Sequence, residues 1–297
     1  MTDLRLDPAF LAKLEGLRLS VRRFRWGSRV GGRFVINRRG SSIEFDDYSP
    51  YTPGDDIRAI DWNLYARSDR LYVRTYKEEV ELSVEVMLDA TRSMGLPTPD
   101  KFQRTCEIGL CLAYVALARG HRVRLSWIRP GAITATPWMA HRSDIARLTQ
   151  QCAQVRPDGA QTLSAWMQRA VPALRIRGGQ AILLSDWMMR PAECFQALQL
   201  LRRRHAELKV LQVLSPQELD PAKLLRSGVV VDSETGMTHE LAYSPAELAS
   251  AVIDHNEQLA RFCKRHDILF AQHRLDESLA ELVLRRLPAC GVLEPVR

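Results

Sequence analysis

The sequence predicts an α/β fold in which a mostly parallel sheet carries helices on both faces and follows an amino-terminal extension. Apolar strand-like runs alternate with helix-like segments from residue 80 to residue 287, an order typical of parallel sheets. Two runs, VEVML and AILLS, are short and mostly apolar, as are strands buried on both faces. With 297 residues, 46% of them apolar, the chain is long enough to bury a large core.

The amino-terminal extension is predicted to begin with a helix. Apolar residues recur at helical spacing at Leu11, Leu14, Leu17 and Val21, which predicts a helix over 7–24.

Two segments separate this helix from the sheet. Glycine and arginine dominate residues 27–40, and residues 41–76 mix aromatic, Pro, Gly and Asp residues. We expect the first to be irregular and the second to be ordered but non-repetitive. The predicted domain division is therefore an extension over 1–79 and an α/β domain over 80–297.

The α/β domain is predicted element by element. The predicted strands cover residues 82–88, 122–128, 133–138, 180–185, 208–214 and 267–272, with a hairpin over 228–241. The predicted helices cover residues 99–118, 143–155, 163–174, 191–204, 244–265 and 276–287. The helix over 99–118 begins at a proline and is apolar on nearly every face, so it should be buried.

The net charge of +7 belongs to the amino-terminal segment. Residues 1–40 contain ten Arg or Lys and three acidic residues, which leaves the rest of the chain neutral. Such a patch can contact an acidic partner, a membrane surface or nucleic acid, or can be a solvated or salt-bridged face. Phe24, Trp26 and Phe34 lie between the arginines and could stack on bases.

Cysteine usage and hydropathy predict a cytoplasmic protein. The six cysteines form neither a C-x-x-C pair nor a zinc-type cluster with histidine, which fits a reducing compartment. We expect Cys106 and Cys111 to be buried as small apolar residues. The longest apolar run, Ile108–Ala118, is shorter than the ~20 residues that span a bilayer, so no transmembrane segment is predicted.

Polar side chains follow the two apolar strands at the edge where ligands bind in parallel α/β sheets. Asp89, Thr91 and Ser93 alternate in one turn, so their oxygens can converge. Asp186 ends the second strand, and Thr162 could add a third hydroxyl. Hard oxygen donors with few charges suit Mg²⁺, with Mn²⁺ possible in its place. The alternative is that Asp89 and Ser93 only cap a turn and helix.

The run Asp89-Ala90-Thr91-Arg92-Ser93 resembles the metal-ion-dependent adhesion site of von Willebrand factor A domains, whose fold is Rossmann-like. That site is written D-x-S-x-S, followed by a distant threonine and a distant aspartate, which Thr162 and Asp186 match. Thr91 replaces the first serine, retaining the hydroxyl and adding a methyl group. The resemblance implies that hydroxyls bind the ion directly, that aspartates often act through water, and that a partner's carboxylate completes the coordination.

A longer resemblance begins upstream of the sheet. Residues 41–62, SSIEFDDYSPYTPGDDIRAIDW, resemble the hallmark string of a bacterial family catalogued as domain of unknown function fifty-eight. The resemblance extends over almost the whole chain, including the turn at 232–236. Members are typically encoded beside MoxR-type AAA+ ATPases and other A-domain proteins. The resemblance therefore implies an adaptor for such an ATPase or A-domain protein, acting on a client.

Residues 41–62 have two interpretations. The favoured one is a structural brace, in which aspartates pair with arginines and Tyr48, Tyr51 and Trp62 pack against the α/β domain. The other is a second, metal-dependent hydrolase or nuclease site, which would need clustered carboxylates. The acidic residues available for it are Asp46, Asp47, Asp55, Asp56 and Asp61.

Three functions follow from these features. The favoured one is a non-enzymatic, metal-dependent protein-interaction module. A nucleic-acid binder using residues 1–40 is the main alternative, and its binding would weaken steeply with salt. A hydrolase is third, because no histidine or lysine base stands near its aspartates in the sequence.

Overall fold

The structure is a computed structural model of the 297-residue chain. It describes residues 7–21, 44–52, 57–77, 82–98, 100–129, 132–158, 179–203, 207–220, 229–231, 238–240 and 244–296. The chain divides into two compact units, one formed by residues 1–34 and 82–297 and the other by residues 35–81.

The described strands and helices are numbered in chain order. The strands are β1 (Leu17–Leu19), β2 (Glu44–Pro50), β3 (Tyr72–Lys77), β4 (Ser83–Asp89), β5 (Arg122–Arg129), β6 (Ala132–Ala135), β7 (Gln180–Ser185), β8 (Glu207–Leu214), β9 (Val229–Val231), β10 (Thr238–Glu240), β11 (Leu269–Arg274) and β12 (Leu293–Pro295). The helices are α1 (Pro8–Leu14), α2 (Trp62–Ser68), α3 (Asp100–Ala118), α4 (Ile145–Gln154), α5 (Pro191–Arg202), α6 (Pro216–Leu219), α7 (Pro245–Arg265), α8 (Leu279–Glu281) and α9 (Leu287–Ala289). A π-helical stretch, Leu282–Arg286, joins α8 to α9.

The central sheet of the larger unit has the strand order β11-β8-β7-β4-β5-β6. All neighbouring pairs are parallel except β5 with β6, where the edge strand runs antiparallel. After β4 the chain forms β5 on one side, and later forms β7 on the other side. The boundary between β4 and β7 is therefore a topological switch point, where open α/β sheets bind ligands.

Helices cover both faces of this sheet. On one face α3 packs against β4 and β5, and α4 and α1 pack against α3. The contact is close at Gly109 of α3, where an added Cβ would lie 2.8 Å from Leu88 Cδ2. On the other face, Met87 and Leu183 pack with Leu198 of α5 and Leu259 of α7. The predicted α/β class, with a mostly parallel sheet and helices on both faces, is confirmed.

The amino-terminal extension differs from its prediction. The helix predicted over 7–24 ends at Leu14, and Leu17–Leu19 form a strand paired with β12. Leu17 and Leu19 are buried while Arg18 between them is exposed, which is the alternation of a strand. The described residues 7–21 belong to the larger unit, whereas the sequence-based division grouped residues 1–79. The rest of the basic segment, 22–40, lies outside the described residues.

The smaller unit contains regular structure where the sequence predicted a non-repetitive segment. β2 and β3 form an antiparallel pair. The helix α2 follows Asp61, whose carboxylate accepts hydrogen bonds from the backbone N–H groups of Asn63 and Leu64. The hydroxyl of Tyr48 donates to the same carboxylate at 3.0 Å.

Most predicted elements of the α/β domain are present. All six predicted strands of the sheet are found, and β9 with β10 forms the hairpin predicted over 228–241. The hairpin turn at 232–236 and the helix predicted over 163–174 lie outside the described residues. Cys106 and Cys111 are buried, as predicted. No helix among the described residues is long and apolar enough to cross a membrane.

Candidate metal centre at the carboxyl edge of the sheet

Asp89 lies at the end of β4, at the switch point of the sheet, and only 1% of its surface is exposed. Its Oδ1 accepts hydrogen bonds from the backbone N–H of Thr91 at 2.9 Å and from the Thr91 hydroxyl at 2.8 Å. Its Oδ2 accepts a hydrogen bond from the hydroxyl of Ser185 at 2.6 Å. The hydrogen bonds from Thr91 are those expected if Asp89 caps the turn. The hydrogen bond from Ser185 joins two strands and is not part of such a cap.

The two predicted hydroxyl ligands converge. The Oγ1 of Thr91 and the Oγ of Ser93 lie 3.2 Å apart. Thr91 is buried and immediately precedes a short 3-10 helix, Arg92–Gly95, which turns the chain so that Ser93 faces the same side. The chain approaches this loop again just before the undescribed segment that contains Thr162, because the backbone N–H of Asp158 donates to Ala90 O at 3.0 Å.

Asp186 completes the described part of the predicted set. It follows β7, which pairs in parallel with β4 through Leu88 and Leu184. The backbone N–H of Met188 donates to Asp186 Oδ1 at 3.2 Å, and the Ser93 hydroxyl is near enough to lower the pKa of this carboxyl. The structure thus brings Asp89, Thr91, Ser93 and Asp186 together, while Thr162 lies outside the described residues.

Three side chains of the site were missed by sequence reasoning. The Nζ of Lys101 donates to Asp186 Oδ2 at 2.9 Å and to Glu218 Oε1 at 2.6 Å. Ser185 binds the other aspartate, as described above. Ser185 ends an apolar strand beside the predicted Asp186, so its position was a usable signal. Lys101 lies in the first turn of a helix, and nothing in the local sequence separates it from a solvated lysine.

The two aspartates have opposite electrostatic environments. Burial, and then repulsion from Asp186, raise the pKa of Asp89 from 3.8 to about 6, although hydrogen bonds from Ser185 and Thr91 oppose the shift. Burial would also raise the pKa of Asp186, but the adjacent Lys101 ammonium, together with the hydroxyl of Ser93 and the backbone N–H of Met188, lowers it. An adjacent ammonium thus stabilises the negative charge of Asp186, whereas burial and the neighbouring carboxylate destabilise that of Asp89.

Glu218 forms a charged cluster with Asp89, Asp186 and Lys101, and its pKa is also shifted. Burial raises the pKa of Glu218 even though Lys101 attracts its charged form. For Lys101 itself, burial would lower the pKa, but Asp186 and Glu218 together raise it. The ammonium therefore keeps its proton at neutral pH.

The described donors fit a Mg²⁺ ion. Neighbouring ligands of octahedral Mg²⁺, each at 2.0–2.1 Å from the ion, lie about 2.9 Å apart, close to the 3.2 Å between the Thr91 and Ser93 oxygens. Three carboxylates and one ammonium give the cluster a net charge of minus two when all are ionised, which a divalent cation would neutralise. Among the described residues, no three His, Cys, Asp or Glu side chains are grouped to hold a metal, and the proposed set needs only two.

The acidic residues of the alternative hydrolase site do not form a described cluster. Asp61 is 3% exposed and caps the helix α2, a structural role. Asp55 and Asp56 lie outside the described residues, as do the side chains of Asp46 and Asp47.

Comparisons with known proteins identify relatives of this chain. A family model described as "Protein of unknown function DUF58" matches residues 47–258. "Uncharacterized protein Mb1516" of Mycobacterium bovis is 28% identical over 270 residues, covering 86% of this chain and 81% of that protein. "Uncharacterized protein Rv1480" of Mycobacterium tuberculosis matches with the same identity and coverage.

Solved structures similar to this chain include two proteins at low sequence identity. The VWA domain of SpRpn10 is 8% identical, with a TM-score of 0.41, covering 70% of this chain and 96% of that domain. The conserved hypothetical protein BatB from Bacteroides thetaiotaomicron is 12% identical, with a TM-score of 0.33, covering 62% of this chain and 99% of that protein. The family match extends over more than half of the sequence, and the family is the one that residues 41–62 resemble. The chain belongs to the DUF58 family.

Proposed function

We propose that this protein is a non-enzymatic, metal-dependent protein-interaction module. Mg²⁺, or Mn²⁺ in its place, would be held by Asp89, Thr91, Ser93 and Asp186, with Thr162 as the further predicted ligand. The observation that carries the proposal is the convergence of two hydroxyls 3.2 Å apart with two buried carboxylates at the switch point of the sheet. When bound, the ion would offer its remaining coordination position to a carboxylate of a partner protein.

The surrounding side chains favour holding an ion over catalysing a reaction. The oxygens of Asp89 accept hydrogen bonds from Thr91 and Ser185, and those of Asp186 accept from Met188 N–H and Lys101. Lys101 keeps its proton because two carboxylates surround it, so it does not serve as a general base. These contacts fix the carboxylates in place, as a binding site requires.

The proposed partner is a MoxR-type AAA+ ATPase or another A-domain protein, which together with this chain would act on a client. Support for this partner class comes from the family to which the chain belongs. A carboxylate bound to a buried metal contributes a strong, geometrically specific contact, so one Asp or Glu of the partner would dominate the affinity.

The test is a tagged pull-down from the native host's lysate, with mass-spectrometric identification. We would compare wild type in Mg²⁺, wild type in EDTA, and Asp89→Ala in Mg²⁺, with the exposed Asp254→Ala as the matched control. Recovery of an AAA+ ATPase or A-domain protein only by wild type and the control in Mg²⁺ supports the proposal. Equal recovery in every sample contradicts it and moves the interface away from the metal site.

A further inference from the structure

Lys101 is a buried lysine placed directly against the proposed metal site. It has no exposed surface and lies in the first turn of α3. Its ammonium contacts Asp186 Oδ2 at 2.9 Å and Glu218 Oε1 at 2.6 Å. The lysine thus links the strand end that carries a proposed ligand to the short helix α6, which carries Glu218.

Both ends of this link are fixed by the backbone. The N–H of Lys101 donates to Thr98 O, and its carbonyl accepts from the Thr105 hydroxyl at 2.8 Å. Glu218 is fixed by a capping box, in which Ser215 N–H donates to Glu218 Oε2 at 2.8 Å and Glu218 N–H donates to Ser215 Oγ at 3.2 Å. The ammonium is therefore held where it is and does not hang in a flexible surface position.

A buried ion cluster is a poor way to stabilise a fold, because the desolvation cost offsets most of the Coulombic attraction. An apolar side chain could fill the same space at the start of α3, a helix that is otherwise almost entirely buried. The burial of Lys101 in an ion cluster therefore indicates that it has a role in the site. Lys101 adds a positive charge beside the proposed ligand Asp186 and pairs with Glu218, a carboxylate outside the ligand set.

The charges of the four side chains give that role a definite sign. With Asp89, Asp186, Glu218 and Lys101 ionised, the cluster carries minus two, and a divalent cation brings it to zero. Without the lysine charge, the empty cluster would carry minus three and would attract a cation more strongly. Without the Glu218 charge it would carry minus one and would attract the cation less strongly.

We propose that Lys101 and Glu218 set the affinity of the site for its divalent cation, with Lys101 weakening it and Glu218 strengthening it. This inference rests on the proposed metal site. A neighbouring charge within about 4–6 Å changes proton binding by one to three pKa units, so we expect each substitution to change the Mg²⁺ dissociation constant by roughly tenfold or more. Lys101→Met should tighten binding and Glu218→Gln should weaken it.

The double variant Lys101→Met/Glu218→Gln is the matched control, because it removes one charge of each sign and restores minus two. Its Mg²⁺ affinity should lie near that of wild type. The exposed Lys264→Met should leave the affinity unchanged, since Lys264 lies on the surface of α7. Isothermal titration of the metal-free full chain with MgCl₂ gives all five dissociation constants, and circular dichroism confirms folding.

Tighter binding by Lys101→Met, weaker binding by Glu218→Gln and near wild-type binding by the double variant would support the inference. Equal affinities in all variants, or weaker binding by Lys101→Met, would overturn it while leaving the metal site itself standing. If wild type and every variant give no heat with MgCl₂ up to the millimolar range, both the metal site and this inference fail. Should Lys101→Met not fold, Glu218→Gln against wild type tests the same sign.

Discussion

Replacing Asp89 with asparagine should stabilise the metal-free protein at neutral pH and abolish its response to Mg²⁺. Asparagine has the shape of the protonated aspartic acid, and its oxygen can still accept from Thr91 while its amide faces Ser185. In the folded protein the pKa of Asp89 is raised from 3.8 to about 6, chiefly by burial. Ionising this buried carboxyl therefore costs stability that the neutral amide does not lose.

The sign and the magnitude follow from linkage. A carboxyl whose folded pKa is raised contributes its full stability below pH 3.8, and this contribution is lost as the pH rises through about 6. A shift of about two pKa units corresponds to roughly 3 kcal/mol at neutral pH. For a domain of this size that is a difference in Tm of roughly 6 to 12 °C.

The assay is thermal unfolding of wild type and Asp89→Asn at pH 4 and pH 7.5, each in EDTA and in Mg²⁺. In EDTA the two proteins should melt together at pH 4, and the variant should melt higher at pH 7.5. Mg²⁺ should raise the Tm of wild type at pH 7.5 and leave that of the variant unchanged. A variant that melts below wild type in EDTA at pH 7.5, or an equal Mg²⁺ response in both proteins, would refute the reasoning.

Three further predictions concern the site loop, a strained turn and the amino-terminal strand. Thr91→Ser, which keeps the hydroxyl, should retain the Mg²⁺-dependent rise in Tm, whereas the isosteric Thr91→Val should lose it; equal behaviour would remove Thr91 from the ligand set. Gly179→Ala should lower the Tm well beyond Gly120→Ala, because both have positive φ but only Gly179 would place a Cβ 2.4 Å from a backbone oxygen, that of Ser83. The expected difference in the free energy of unfolding is at least about 1 kcal/mol, and equal losses would contradict the clash. Lys209→Met should lower the free energy of unfolding by roughly 2–4 kcal/mol and should speed proteolysis of residues 7–21. The reason is that the Lys209 ammonium donates to Ser20 O at 2.6 Å and to Val292 O at 3.3 Å, beside the paired strands β1 and β12. Unchanged proteolysis would show that these hydrogen bonds do not hold the segment.

The centre of the sheet could be predicted from the sequence because its strands β4 and β7 are mostly apolar. Four of the five residues of the run VEVML are apolar, which favours burial, and its end at Asp89 marks the carboxyl edge. The amino-terminal helix was overextended for the opposite reason. The spacing of Leu11, Leu14 and Leu17 is helical, but Leu17 is recruited into pairing with β12, more than 270 residues away, which no local pattern reveals.

The same distinction applies to the site. Asp89, Thr91 and Ser93 lie within five residues, so their convergence could be inferred from one turn. Lys101 could not be recognised as part of the site, because its contact with Asp186 spans 85 residues and its contact with Glu218 spans 117 residues. Each of these residues is an ordinary element of its own helix or loop, and only the packing of α3 against the sheet brings them together.

The charge of the cluster also relates the affinity for the ion to the affinity for a partner. With Mg²⁺ bound, the four ionised side chains and the ion are neutral, so a partner carboxylate would meet an uncharged site. Removing the Lys101 charge would hold the ion more tightly but leave a net negative site that repels the carboxylate. Removing the Glu218 charge would do the reverse. Lys101 and Glu218 thus balance retention of the ion against recruitment of the partner, and pull-downs with Lys101→Met and Glu218→Gln at saturating Mg²⁺ should recover less and more partner, respectively.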